Sequence, residues 1–347
     1  MKRNICSIIV VAVIMFFIVG VAMAESHLPK KVGICLPEAA TDKGWNEQGA
    51  EGFKKVAKKY GFEGVIAEGL GYGDIKPTIR DMVSKGCGLI ITHAAGYGAA
   101  TPEMARELGV KMVTCLNHKD VTPGLISNYD FRSGGGGYLA GVLAGRMTRS
   151  NIVGMCAGAE PSNFNRLSGG FAQGLKSVKP DAKLIRSVIG PFGYGDAPGG
   201  KRNVSDQIAV GADVIFGMGD GSTFGMIQAC SNSKAKDGGK VWFIDVIGNK
   251  KAIDNADILL TSVIFDFSVL WDEIIQTVVD GTFGKDHWLS FRSGAMYLLE
   301  LNKAVPQQVA QELNDVREKM MRGEIEPVEI PDAGDLKKYI AEIFPKN

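Results

Sequence analysis

Short apolar runs alternate with amphipathic stretches along almost the whole chain, and the pattern is clearest near its start. Residues 32–36 are apolar, Asp42, Gly44, Trp45 and Asn46 occupy a polar loop, and Ala50, Phe53, Val56, Ala57 and Tyr60 then recur every third or fourth position. Lys54, Lys55, Lys58 and Lys59 fall mostly on the opposite side. An unbroken apolar run reads as a buried strand and a helical period as a helix, so this stretch predicts strand, loop and helix. Further strands are predicted over 65–68, 88–92, 111–116 and 125–129, with helices over 75–84, 101–107 and 138–147. Arg149, Ser150 and Asn151 make a polar break. The pattern then restarts, with strands over 152–156, 183–188, 214–217 and 241–244 and helices over 166–178, 200–210 and 223–231. Nearly all-apolar strands alternating with helices predict parallel sheets covered on both faces.

The expected fold class is therefore α/β, two doubly wound parallel-sheet lobes joined by a hinge. The last third adds a strand over 258–264, a helix over 268–280 capped by Ser268, a turn at 281–284, and helices over 306–322 and 335–343. Crossings between lobes are expected near Thr148, Phe265 and Ser293, which makes 31–147 with 265–292 one lobe and 150–262 with 293–343 the other. Two such lobes leave a cleft between their strand ends, where open parallel sheets hold small ligands.

The first two dozen residues depart from this pattern. Lys2 and Arg3 precede an apolar run over 8–21, and Ala22-Met23-Ala24 follows as a small-x-small site. That is the layout of a cleaved export signal over 1–24, and the run is shorter than the ~20 residues a spanning helix needs. A periplasmic location is expected. Cys6 lies upstream of the apolar run rather than at the cleavage point, so no lipid anchor is expected. With 39 basic against 38 acidic residues the formal net charge is +1, which points to neither nucleic acid nor an anionic membrane. Cys35, Cys87, Cys115, Cys156 and Cys230 sit in or beside apolar runs without CxxC spacing and read as small buried hydrophobes. Four scattered histidines without HxH or HExxH spacing give no reason to expect a metal site or a cofactor.

The loops after the predicted strands concentrate aromatic rings, amides and carboxylates. They carry Asp42, Trp45 and Asn46, then His93, Gly96 and Tyr97, then Asn117, His118, Asn128, Tyr129 and Asp130. In the second half come 160–164, 192–196, 219–223 and Asp245. Two rings can sandwich a flat ligand, offset stacking adding about 0.5–1.5 kcal/mol beyond burial, and a carboxylate can accept two hydrogen bonds. That set suits a heterocycle or its nucleoside. The candidate ligand-binding residues are Asp42, Trp45, Asn46, Gly96, Tyr97, Asn128, Phe192, Gly219, Asp220 and Asp245. Plainer roles compete: Trp45 can cover the start of its helix, and Asp220-Gly221-Ser222-Thr223 can be a turn and cap. His93 and His118 can each serve as a loop residue donating one hydrogen bond, and Tyr72 and Tyr97 can pack over turns. Residues 134–137 and 193–200 read as Gly-rich loops, but neither matches GxxxxGK[ST] or GxGxxG, so phosphate and dinucleotide ligands are not expected.

Taken in order, Asp42-Lys43-Gly44-Trp45-Asn46 with Gly49-Ala50-Glu51-Gly52, Tyr138-Leu139-Ala140-Gly141 with Met147-Thr148, Gly169-Gly170-Phe171-Ala172-Gln173-Gly174, and Gly211-Ala212-Asp213-Val214-Ile215-Phe216 with Gly219 resemble the basic membrane protein family of ABC-transporter substrate-binding proteins. The resemblance covers nearly all of the chain after residue 24. It implies a type I periplasmic binding fold that captures a purine-like base or nucleoside and delivers it to a membrane permease, as a non-enzymatic monomer. It also implies that an acid of the first loop and Asn46 face the ligand, that an aromatic there stacks on it, and that Asp245 contacts ribose hydroxyls or base. This chain has Trp45 after Gly44 where many members have Phe after Ser. It has Ser262-Val263-Ile264-Phe265 where nucleoside-binding members have a Lys at the fourth position. Both departures favour a free base over a nucleoside. A nucleoside-processing enzyme and a ligand-sensing regulator are the competing classes. An enzyme would need clustered acids or a phosphate loop, and the export signal speaks against a regulator.

Overall fold

The structure is a computed structural model that describes residues 28–345; the export signal expected over 1–24 lies outside the described residues. In chain order it begins with β1 (Lys31–Cys35), α1 (Trp45–Tyr60), β2 (Glu63–Ala67), α2 (Lys76–Ser84), β3 (Cys87–Thr92), α3 (Ala100–Leu108), β4 (Lys111–Cys115) and β5 (Ile126–Arg132). It continues through α4 (Gly134–Met147), β6 (Ile152–Ala157), α5 (Ser162–Val178), β7 (Lys183–Val188), α6 (Ala197–Ala209), β8 (Val214–Met218), α7 (Ser222–Ser231), β9 (Trp242–Ile247) and β10 (Leu259–Phe265). The end comprises α8 (Phe267–Val279), β11 (Asp286–Ser290), β12 (Met296–Leu298), α9 (Gln307–Met321) and α10 (Ala333–Ile343).

Two six-stranded sheets result, ordered β2-β1-β3-β4-β5-β11 and β7-β6-β8-β9-β10-β12. The central strands β1, β3, β4, β8 and β9 are almost wholly buried because helices cover both faces. All pairings are parallel except β10 with β12. Both halves share one strand order, so the two lobes present equivalent carboxyl edges to each other.

The first crossing between lobes differs from the sequence reading. Helix α4 packs against α5, α9, β8, β10 and β12, all elements of the second lobe, so the chain leaves the first sheet at Ser133 and not near Thr148. Residues 134–137, read as a loop, are the first turn of this helix. The glycines are there for close approach. A Cβ on Gly137 would strike the Leu167 carbonyl, one on Gly141 the Phe171 carbonyl, and ones on Gly170 and Gly174 the carbonyls of Gly134 and Tyr138. The α4 and α5 backbones therefore touch directly, which a helix with side chains at those positions cannot do. The remaining crossings lie at Asp266 and between Ser290 and Met296. At Asp266 the carboxylate caps α8 by accepting the Ser268 N–H at 2.9 Å, so the cap is the Asp and not Ser268.

Helix α8 returns the chain to the first lobe, where buried Trp271 donates its indole N–H to the Gly49 carbonyl of α1 at 3.0 Å. Beside the crossings, Arg166 of α5 is ion-paired to buried Asp130 of β5 at 2.8 Å. All five cysteines of the described residues are buried and free, as the apolar runs suggested. Among the described residues no helix is long and apolar enough to cross a membrane.

Candidate functional site

A cavity of about 170 Å³ lies between the carboxyl edges of the two sheets. The first lobe supplies Pro37 after β1, Trp45 at the start of α1, Tyr72 after β2, Ala94 to Gly96 after β3, and Cys115 and Leu116 at the end of β4. The second supplies Asn163 and Phe164 at the start of α5, Phe192 and Tyr194 after β7, Asp220 after β8 and Ile247 at the end of β9. Leu116 and Ile247 hold left-handed backbone, with φ 56° and 71°. A side chain, above all a β-branched one, adopts that conformation only where its surroundings impose it, at about 1–3 kcal/mol. Equivalent strand ends of both lobes thus carry a strained apolar residue into the cavity wall.

Trp45 is half-buried and fixed at several points. Its indole N–H donates to the His93 carbonyl at 2.8 Å, its ring stacks on the His93 imidazole with centroids 4.6 Å apart, and its edge meets Phe267 and Phe131. The rest of the indole lines the cavity. His93 is completely buried, and burial pulls its pKa down to about 3. Its Nε2 lies 3.1 Å from the Trp45 carbonyl, which only accepts, and its Nδ1 lies 2.8 Å from the Tyr129 hydroxyl. The ring is therefore the neutral Nε2–H tautomer, with Tyr129 donating to Nδ1. This makes His93 a support for the Trp45 ring.

Asp220 is the acidic residue among those that line the cavity. It is 5% exposed, and its Oδ1 accepts the Trp45 backbone N–H at 2.9 Å, joining the lobes across the cleft. The approach requires Gly44, since a Cβ there would overlap the Asp220 carboxylate. Burial, then the Asp42 charge, hold Asp220 well above the usual carboxylate range, with the Trp45 N–H and Lys250 opposing them. Glu38 is raised by burial and by Asp42, with Tyr72 opposing them.

Of the residues expected from sequence, the structure brings Trp45, Gly96, Phe192 and Asp220 to the cavity. Phe192, 73% exposed, forms the rim beside Tyr72 at 5.9 Å between centroids. Asp42 and Asn46 shape the loop instead of lining the cavity. Asp42 accepts the N–H groups of Gly44, Asn46 and Glu47 and the Asn46 amide, while the Asn46 amide oxygen faces the Glu38 N–H. Tyr97 is buried and donates its hydroxyl to the Gly71 carbonyl. Asn128 points into a separate cluster, accepting the Asn117 N–H and donating to Asp286. Gly219 makes room for the Ser222 side chain at the start of α7.

Asp245 is fully buried beside fully buried Lys250, Oδ2 to Nζ 2.6 Å, and accepts the Thr223 hydroxyl on Oδ1. Burial raises it to about 6 despite the ammonium. It holds an internal ion pair behind the cavity wall. Asn163, Phe164 and Tyr194 fell inside stretches flagged from sequence, and Tyr72 was read as turn packing. Only pairing of the two lobes shows that these four share one space.

Comparison with known proteins agrees with this arrangement. The model of the Bmp family, described as ABC transporter substrate-binding protein PnrA-like, matches residues 29–331. The chain is 26% identical over 309 residues to a CD4+ T-cell-stimulating antigen of Listeria innocua, covering 84% of this chain and 85% of that protein. It is 26% identical over 332 residues to a purine-binding protein of Brucella abortus, covering 93% and 88%. An ABC transporter solute-binding protein structure from Aeropyrum pernix superposes with a TM-score of 0.76 at 17% identity, over 90% of this chain and 97% of that one, which shows a shared fold. Two equivalent parallel-sheet lobes facing one aromatic cavity, together with a family match over almost the entire described chain, establish that this protein belongs to the Bmp family of PnrA-like ABC transporter substrate-binding proteins.

Proposed function

We propose that this chain is an exported receptor that captures a purine-like base or nucleoside between its lobes and hands it to an ABC permease. The observation that carries the reading is the cavity itself. Trp45 and Tyr72 from one lobe face Phe164, Phe192 and Tyr194 from the other around a space smaller than the ~300–1,000 Å³ of drug-sized sites. Aromatic walls drawn from two lobes suit a flat ring, because stacking needs faces on both sides. The name carried by the Brucella abortus relative supports a purine. Binding rather than turnover is the reading the cavity favours: the polar groups lining it are one carboxyl, one amide, two phenols, the Trp45 indole N–H and the Cys115 thiol, which burial pushes up and away from a reactive thiolate.

A ligand that touches both lobes favours the state in which they meet, by as much as its contacts differ between open and closed forms. The Trp45–Asp220 contact is the kind of bond such closure makes. The testing experiment is mass spectrometry of small molecules co-purifying with the exported protein, followed by small-angle scattering with the molecule found. A purine-class ligand that compacts the protein is expected. A ligand of another class, or no compaction at saturation, would overturn the corresponding half of the proposal.

A further inference from the structure

Asp220 is a buried carboxyl with half of its hydrogen-bonding capacity unused. Its Oδ1 accepts the Trp45 N–H, while Oδ2 has no hydrogen-bond partner among the described residues. Asn163, 3% exposed, and the Tyr194 hydroxyl also line the cavity without a hydrogen bond from their side chains to those residues. These groups face the cavity, so a ligand enclosed there that supplies their partners gains direct hydrogen bonds in place of those to water.

The surrounding charge decides which partner fits. Glu38 and Asp42 lie close enough to raise Asp220 by repulsion, and the cation that opposes them, Lys250, is held by Asp245. Lysine, arginine and histidine are absent from the lining residues. An oxygen or phosphate placed against ionised Asp220 would meet lone pairs and the negative charge of Asp42 and Glu38 beyond it, whereas an N–H would meet an acceptor. In the neutral acid Oδ1 stays the acceptor of the Trp45 N–H and Oδ2 carries the proton, so a ligand N–H at Oδ2 selects the ionised form.

We propose that Asp220 is the specificity-determining residue of the cavity, accepting one N–H of an uncharged or cationic planar heterocycle, and that it rejects phosphorylated forms of the same ring. This assigns to Asp220 the ligand contact that the family resemblance implied for Asp245. The proposal rests on the ligand-capture reading and narrows it to a donor-bearing ring.

The test is a cycle between protein and ligand substitutions on the exported full-length protein by isothermal titration calorimetry. The ligands are adenine, 9-methyladenine, N6,N6-dimethyladenine and adenosine monophosphate; the variants are Asp220→Asn, whose remaining oxygen can still accept the Trp45 N–H, and Asp245→Asn. In the wild type one of the two methylated rings is expected to bind at least tenfold more weakly than adenine, the nucleotide not measurably. In Asp220→Asn that methylation penalty is expected to shrink below threefold while adenine itself weakens at least tenfold; in folded Asp245→Asn the penalty should remain. Adenine binding with penalties unchanged in Asp220→Asn, or nucleotide binding equal to adenine, would overturn the inference alone. Failure of the wild type to bind any purine would instead overturn the purine reading on which it rests.

Discussion

Replacing Trp45 by alanine separates two jobs that the structure gives one side chain. The main-chain contacts survive the change, since the N–H to Asp220 and the carbonyl that receives His93 both belong to the backbone. What is lost is the indole, its stack on His93, its contacts with Phe131 and Phe267, and its N–H bond to the His93 carbonyl. Removing a fully buried Trp costs about 3–5 kcal/mol. Trp45 is half-buried, so roughly half of that plus about 1 kcal/mol for the hydrogen bond gives about 2.5–3.5 kcal/mol of apo stability. The ligand would lose a stacking anchor worth about 2–4 kcal/mol, or roughly 30- to 900-fold in Kd. Trp45→Phe keeps a ring and loses the N–H bond, so it should cost about 1 kcal/mol of stability and little affinity. Urea unfolding of the apo proteins and calorimetric titration with adenine measure the two effects independently. A Trp45→Ala protein that is destabilised yet binds adenine as tightly as wild type would show that the ring serves the core alone.

Three further outcomes are expected. Asp245→Asn strands the Lys250 ammonium in a fully buried position and should cost about 3–5 kcal/mol in urea unfolding, while leaving adenine affinity within a few-fold; loss of binding without loss of stability would place Asp245 in the cavity. Gly44→Ala should weaken ligand-induced compaction in small-angle scattering and leave apo stability nearly unchanged, because its Cβ would collide with Asp220 across the cleft and not within a lobe; unaltered compaction would refute that contact. For His93, a folded-state pKa depressed to about 3 from an unfolded value near 6.5 means that its contribution to stability is complete above pH ~6.5 and is lost as pH falls toward 3. Imidazole NMR should show the Nε2–H tautomer persisting at pH 5, and a midpoint near 6.5 would contradict its burial.

The alternation of apolar runs and amphipathic stretches was sufficient for the α/β class and for two repeats of it, because each strand buried on both faces must be almost wholly apolar and each covering helix must keep one polar side. The strand–loop–helix from Lys31 to Tyr60 was legible in outline for that reason, and so was the placing of Trp45 in the loop at the carboxyl end of the first strand. Local patterns misled where contact between distant segments overrides them. Four successive glycines at 134–137 read as a loop by propensity, yet they open a helix, since direct contact with α5 offsets the helical penalty of glycine. Strand β11 mixes polar and apolar residues and β12 is only three residues long, so neither is seen without the neighbour it pairs with.

The site divides the same way. Which residues stand in the loops was visible from the chain, but not which way they face. Asp42 and Asp245 have the chemistry of ligand contacts, but one is held by backbone N–H groups of its own turn and the other is ion-paired in the interior with Lys250, a pairing between a strand and the loop that follows it. Asp220 has the composition of a cap and comes to line the cavity against Trp45 because Gly44, 176 residues earlier, leaves it room. A side chain's type is a property of the sequence; whether its hydrogen-bonding capacity is already spent depends on what the tertiary fold brings within about 3 Å of it.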